Sequence, residues 1–414
     1  VTLPASISVS FDFSSGATFG YPFTIGDEKY GIIGVSQFAS SEVPEPVVDL
    51  TSQTYQITID RGRAIQSDTY IAGTAVVRVL DPNSDFNPQN PSSPYYGYLT
   101  PMRKLRVSAT TSAGTSYLFS GYTTEYRYHY PVNEETAYVD IYCADAFRLF
   151  QLSQVETVTG ASTTQATGTR MGKLLDAVQF PANMRILDAG DSVVQADAGT
   201  LRTSLAALKN VEFSEQGAFY IRGDGTAIFR SRNNVVGSIS GDPIEFNQTT
   251  GIPYQKLVYA FDDKLIINQA SVQRIGGTAQ FYENTASAIK YFPHQYSVQD
   301  IQAATDAQCA DIAATYVATR QSTSIRIDQM AVNLLDPAVP TDTMIGLDYF
   351  SNVKITNVQP DGSTIVKQLQ CQGLKWEITP QSMICTVTTL EPIVDGFVIG
   401  SPVNGIIGVS AMTY

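Results

Sequence analysis

Apolar and polar side chains alternate with a period of two over much of this chain. In Tyr55-Gln-Ile-Thr-Ile-Asp60, Tyr55, Ile57 and Ile59 fall on one face and Gln56, Thr58 and Asp60 on the other, the pattern of a strand buried on one side. Thr74 to Leu80, Lys104 to Thr110, Tyr117 to Tyr128 and Ala137 to Cys143 alternate or run apolar between Gly, Pro, Asn and Asp turns. Short strands at such regular spacing predict a β-barrel over residues 40–147.

The period then changes. Val158 to Thr169 is rich in Thr, Ser and Gly and reads as a linker or exposed loop. Met171, Leu174, Leu175 and Val178 recur at helical spacing until Pro181, and Leu201, Leu205 and Leu208 form a second stripe up to Asn210. Two short strands from Ala218 to Arg230 flank Gly223-Asp224-Gly225, a hairpin signal because Asp-Gly accepts the positive φ of a tight turn. Residues 148–254 therefore read as an α+β insert. Strand patterns return with a turn at Asp262-Asp263, a strand over Leu265 to Val272 and a reversal at Gly276-Gly277. A helix is expected over Val298 to Arg320, with Ile301, Ala304, Cys309, Ile312 and Tyr316 on one broad face. Further strands are expected at Ser324 to Ile327, Asn352 to Val358, Ile365 to Gly373 and Ile384 to Leu390, with a turn at Asp361-Gly362. Residues 255–392 thus read as a second barrel carrying one helix. The fold class expected is mainly β, with two tube-like β-barrel domains separated by a small α+β domain.

The ends, 1–39 and 393–414, read as arms that carry a repeat. Phe23 to Ser36 and Phe397 to Ser410 both finish in Gly-Ile-Ile-Gly-Val-Ser. The plain reading is one Gly-bounded edge strand used twice; the sharper one is that both copies reach out to neighbouring subunits by strand addition. Exposed alone, such an apolar segment would be an aggregation hazard, so Ile32, Ile33, Val35, Ile406, Ile407 and Val409 are the candidate assembly residues.

Composition changes this picture only at the margins. Length, 414 residues, points to two to four domains, and 23 Tyr and 19 Phe beside a single Trp fit a β-rich chain. No apolar run of ~18 residues predicts a membrane span, and Val1 to Ser10 lacks the pattern of a secretory signal, so a soluble chain is expected. A formal charge of −13 argues against gripping nucleic acid, which is driven by Lys and Arg. Cys143, Cys309, Cys371 and Cys385 lie far apart with no zinc spacing and read as free, buried thiols. Assembly in a reducing compartment fits that cysteine usage.

Candidate chemistry is sparse. His129 reads as an ordinary strand residue and His294 as a loop residue, leaving little for a triad or a metal site. Asp81-Pro-Asn-Ser-Asp85-Phe-Asn87 imitates the start of a calcium loop, but Phe86 stands where Gly is wanted and Ser92 where Glu is wanted, so an Asx-rich turn is expected. Glu134-Glu135 and Glu212 with Glu215 read as solvated faces, and Arg61 and Arg63 as solvent-facing or paired with a neighbouring subunit. Neither a catalytic residue nor a cofactor or metal site is assigned.

Several segments in one order carry a resemblance. Ile59-Asp-Arg-Gly-Arg63, Tyr70-Ile-Ala-Gly-Thr-Ala75, Val79-Leu-Asp-Pro-Asn-Ser-Asp-Phe-Asn-Pro88, Ser93-Pro-Tyr-Tyr-Gly-Tyr-Leu99 and Pro101-Met-Arg-Lys-Leu-Arg-Val107 resemble minor tail proteins of tailed bacteriophages. Lys173-Leu-Leu-Asp-Ala177, Ser214-Glu-Gln-Gly-Ala-Phe-Tyr220, the strand and turn from Asn268 to Gly277, and Cys371-Gln-Gly-Leu374 continue the likeness, which spans about Ile57 to Thr379. Within that group the chain looks like the baseplate or tail-tip hub. The resemblance implies a homotrimer in which each subunit supplies two related barrels to a ring with pseudo-sixfold symmetry. Strands of adjacent barrels would then continue one sheet around the lumen.

The resemblance also implies partners: other copies of the chain, an adjacent distal tail or tube protein, and a tail-tip or fibre protein. DNA would pass through the lumen without specific binding, and the chain would not insert into a membrane. With no extension after Tyr414, a lysin or fibre domain is expected on another protein. The location implied is the virion tail, assembled in the host cytoplasm, and the role is structural rather than enzymatic. Two other readings compete: a tail-tip adhesin binding a host surface glycan through Tyr95-Tyr96 and Tyr126 to Tyr130, and a peptidoglycan-cleaving tail enzyme.

Overall fold

The computed structural model describes residues 2–13, 19, 23, 25–26, 31–33, 47–64, 69–131, 136–238 and 242–391. Its largest feature is one long sheet in which a five-strand arrangement occurs twice. The first unit comprises β1 (Thr54–Ala64), β2 (Thr74–Leu80), β3 (Lys104–Thr111), β4 (Gly114–His129) and β5 (Tyr138–Ala144). The second comprises β6 (Lys256–Ala260), β7 (Arg326–Asn333), β8 (Asn352–Val358), β9 (Thr364–Thr379) and β10 (Ser382–Leu390). Neighbours run β1-β2-β5-β4-β3 in the first unit and β6-β7-β10-β9-β8 in the second, all antiparallel.

The correspondence extends to single residues. Each unit has one strand of 16 residues, and each of these changes partner midway. Tyr122 of β4 pairs with both Lys104 and Ala144, the first residue of β3 and the last of β5. Gln370 of β9 pairs with both Asn352 and Leu390, again the first residue of one neighbour and the last of the other. Immediately afterwards each ladder shifts register, between Thr123 and Glu125 in β4 and between Cys371 and Gly373 in β9. A bulge bends a strand and increases its twist, which lets one strand leave one neighbour and take up the next.

Alternation buries one face as expected. Ile57 and Ile59 of β1 and Val77 and Val79 of β2 join Met330, Val332, Val353 and Val387 in one core that runs through both units. Tyr55 departs from the predicted face and is exposed, because the β1–β2 register shifts between Thr54 and Gln56.

Between the units lie α1 (Thr167–Ala177), α2 (Ser204–Glu215) and the hairpin Ala218–Ile221/Ala227–Arg230, whose turn places Gly225 at φ +83°. Met171, Leu174, Leu175, Leu208 and Val211 pack there with Phe147, Phe150 and Phe219 as a second core. Two expectations change here. Val158 and Ala161, expected in an exposed linker, are buried in or against this layer, and Leu201 lies before α2 and is exposed. A third core forms where α3 (Asp306–Arg320) covers the sheet Gln280–Glu283/Gln269–Arg274/Gln295–Ile301. The predicted helix from Val298 therefore begins late. Val298 and Ile301 pair with Val272 and Arg274 as strand, and the capping box of Thr305 and Gln308 starts the helix. No helix among the described residues is long and apolar enough to cross a membrane.

Candidate functional site

The two units meet at a seam between β1 and β9, paired from Ile57↔Ile378 to Gly62↔Gly373. At its tight end the strands approach so closely that a Cβ on Gly62 would lie 3.0 Å from Gly373 Cα, and one on Gly373 would lie 3.1 Å from Arg61 O. Only glycine tolerates that spacing without backbone movement. Beyond it Leu374, Trp376 and Ile378 are buried, with Trp376 1% exposed.

A polar junction sits where this seam touches the α+β layer. Asp145 accepts hydrogen bonds from the amides of Gly73 (2.7 Å) and Phe147 (2.9 Å). Burial pushes its carboxyl up to about 7, against those amides and the nearby Arg61 and Lys209. Burial also raises the Asp348 carboxyl, again opposed by Arg61, and lowers the Lys209 ammonium, opposed by Glu212. Tyr70 donates to Gln372 Oε1 (2.6 Å), the residue skipped at the β9 register shift, and its ring packs with Tyr220 and Tyr349. The Arg61 guanidinium lies over Tyr349 at 5.5 Å, and that of Arg63 over Tyr70 at 5.7 Å. Both arginines, expected to face solvent or to pair with a neighbouring subunit, are strand residues that reach into this junction, Arg61 being 5% exposed. Arg61 Nε and Nη1 have no hydrogen-bond partner among the described residues, and a cleft of about 350 Å³ lined by Arg61, Arg222, Asp224, Asp348 and Trp376 has room for water beside them.

Glu212 and Glu215 also depart from expectation, since both are buried rather than solvated. Glu212 accepts from the Phe219 amide (2.7 Å) and pairs with Lys209 at 2.7 Å. Glu215 accepts from Thr167 Oγ1 (2.6 Å) and from the amides of Asp191 (2.8 Å) and Ser192 (2.9 Å). These carboxylates staple the 191–192 loop and the strand at Phe219 to α2. Arg170, on α1, is fully buried, bonded to Ala161 O and Gln195 O and 3.6 Å from Asp197. Nothing in the sequence pattern singled it out.

The remaining candidates fall into ordinary structural places. Asp81 accepts from the amides of Asp85 (2.6 Å) and Phe86 (3.3 Å) and from the Tyr130 hydroxyl (2.7 Å), which makes it the centre of an Asx turn. His129 stacks on Tyr138, and His294 Nε2 lies 3.0 Å from Tyr291 O. The four cysteines are free and buried. Ile32 and Ile33 are exposed. Val35, Ile406, Ile407, Val409 and the pair Glu134-Glu135 lie outside the described residues.

One contrast between the units bears on assembly. β1 covers the second half of β9, but no described strand takes the equivalent place beside the second half of β4. Tyr126, Tyr128 and Tyr130 occupy there the positions that Leu374, Trp376 and Ile378 hold on β9, as a ladder with ring centroids 6.5 and 5.8 Å apart. Tyr128 is 39% exposed. β6, the counterpart of β1, ends the described sheet with Tyr259 38% and nearby Phe261 69% exposed.

No protein-family model matches this sequence, and no curated protein does. Solved structures do match. A 43 kDa tail protein of prophage MuSo2 from Shewanella oneidensis superposes with a TM-score of 0.53 at 9% identity, over 82% of this chain and 94% of that one. A tail protein from Neisseria meningitidis MC58 superposes with a TM-score of 0.54 at 10% identity, over 82% and 92%. The structural neighbours of this chain are thus phage tail proteins, and it shares their fold.

Proposed function

We propose that this chain is a structural subunit of a phage-type tail, the hub that joins a sixfold tail tube to a threefold tip or baseplate. The observation that carries the reading is the repeated unit: two five-strand arrangements with one neighbour order and a register shift at the same place. Three copies of a chain with two such units offer six similar positions, so a closed trimer would match sixfold symmetry on one side and threefold on the other. Each unit would then be a wall segment of a tube-like barrel. The fold shared with a prophage tail protein and with a second tail protein supports the same reading.

On this reading the partners are other copies of the chain, a distal tail or tube protein on one face and a tip or fibre protein on the other, in the virion tail. DNA would pass through the lumen, and a chain with net charge −13 would bind it weakly. The buried carboxylates serve as hydrogen-bond acceptors within the fold and not as an acid–base pair, in keeping with a role without catalysis. The glycan-binding alternative loses part of its support, because Tyr95 packs on Phe13 and Phe86. Mass measurement of the purified chain in solution tests the proposal: a trimer supports it, and a monomer or hexamer at all concentrations contradicts it.

A further inference from the structure

Resting on the trimer reading, we infer which edges of neighbouring copies join and in what register: β6 of one chain adds to the uncovered side of β4 of the next, with Leu257 opposite Tyr130, Tyr259 opposite Tyr128 and Ala260 opposite Arg127. The chain carries its own template for this contact. Within one chain, β1 of the first unit lies antiparallel against β9 of the second, with Ile57 opposite Ile378, Ile59 opposite Trp376 and Asp60 opposite Lys375.

The correspondence between units converts each partner. Tyr122 and Gln370 hold the same place, so with one residue skipped in each ladder Arg127, Tyr128 and Tyr130 answer to Lys375, Trp376 and Ile378. Through β2 and β7, which stand in the same place, Ile57 and Thr58 answer to Leu257 and Val258; the ladder then skips Asp328 on β7, so β6 itself runs on without an extra residue, and counting along it sets Ile59 and Asp60 against Tyr259 and Ala260. The bulge between Val258 and Tyr259 lies in the β6–β7 ladder, on the side away from the proposed partner.

Three independent features agree with this occupant. Leu257 already packs against the core, as Ile57 does, so β6 presents the correct face. Where β9 has a covered apolar run, β4 has tyrosines, half exposed and stacked in a row, as suits a face that meets water before assembly and a strand after it. Neither edge has a ladder partner among the described strands, and pairing one with the other in a closed ring consumes both. The one departure also has a consequence. Glu125, tied to Arg127 at 2.8 Å, stands where Gly373 makes its close approach to Gly62, so the contact between chains should stop at Arg127.

Cysteine crosslinking of the full chain tests the register, with background low because the four native thiols are buried. Tyr128→Cys with Tyr259→Cys in one chain places the thiols directly across the proposed ladder. Mild oxidation should then give dimer and trimer bands on a non-reducing gel, at about five times or more the yield of either single variant, since bridging requires Cα atoms within about 7 Å. Arg127→Cys with Tyr259→Cys is the offset control. A one-residue slip turns the side chain to the other face, so it should crosslink no better than the single variants. Trimer mass without the Tyr128–Tyr259 crosslink, or with equal crosslinking of the offset pair, overturns this pairing and leaves the trimer standing. Monomer mass at every concentration, with no crosslink, overturns both.

Discussion

The second halves of β4 and β9 are the same piece of architecture in two environments. On β9, covered by β1, the inward positions are Leu374, Trp376 and Ile378, all buried. On β4, where no described strand takes that place, they are Tyr126, Tyr128 and Tyr130. Tyrosine supplies nearly the apolar area of a large core residue while its hydroxyl stays with polar partners, here Thr100 O for Tyr126 and Asp81 for Tyr130. The difference teaches how side-chain polarity at equivalent positions can follow the time at which a face is covered: during folding of the chain for β9 and, on the proposed pairing, during assembly of the ring for β4.

The largest effect that would break this comparison is expected at Trp376. Trp376→Ala should cost about 3–5 kcal/mol in urea unfolding of the isolated chain, as buried aromatic truncations do. Tyr128→Ala should cost less than about 1 kcal/mol there, yet weaken self-association. Equal losses in both variants would show that the two faces are covered alike within one chain. Next in size is the seam. Gly373→Val forces a side chain against Arg61 O and Gly62 Cα and should destabilise by about 1–3 kcal/mol in the same assay. An unchanged midpoint would mean that the close approach is not a constraint.

A smaller effect is expected from pH. The Asp145 carboxyl, raised to about 7 by burial, keeps its proton to higher pH in the folded chain than in the unfolded one, where such a group titrates near about 4. Its contribution is therefore complete below about 4 and is lost as pH rises through about 7. Thermal unfolding between those values should show the parent chain losing stability with rising pH relative to Asp145→Asn, and parallel curves would refute the assignment. Smallest for the isolated chain is the terminal repeat: Ile32→Asp with Ile33→Asp should leave the melting temperature within about 2 °C but impair tail assembly, because a carboxylate is costly only where a partner covers it. Normal assembly of that variant would make the repeat a relic of ancestry.

Strands with alternating side chains were legible with little error. Thr74–Leu80 and Asn352–Val358 have the expected bounds, because alternate positions, Ala75, Val77 and Val79 in one and Val353 and Ile355 in the other, face one core. The helix over Val298 to Arg320 was legible only in its C-terminal part. Ile301 and Ala304 suit a helix face as well as a strand end, and pairing of Val298 with Val272 decides between them. The matching register shifts lay beyond reach of the sequence, since Tyr122-Thr123 and Gln370-Cys371 share no residue and correspond only through their partners. Likewise, nothing local marks Arg61, Glu215 or Arg170 as buried. Their cost is met by contacts from Tyr349, Asp191 and Gln195, residues far away in the chain.

The central claim, that β6 of one copy does for β4 of the next what β1 does for β9 within a chain, is tested most directly by a density map of the assembled ring at a resolution that separates strands. The account predicts three copies around the axis, with Lys256–Ala260 lying antiparallel beside Arg127–Tyr130 of the neighbour and Tyr259 across from Tyr128. Six copies in the ring, or either edge facing solvent in a closed trimer, would contradict it.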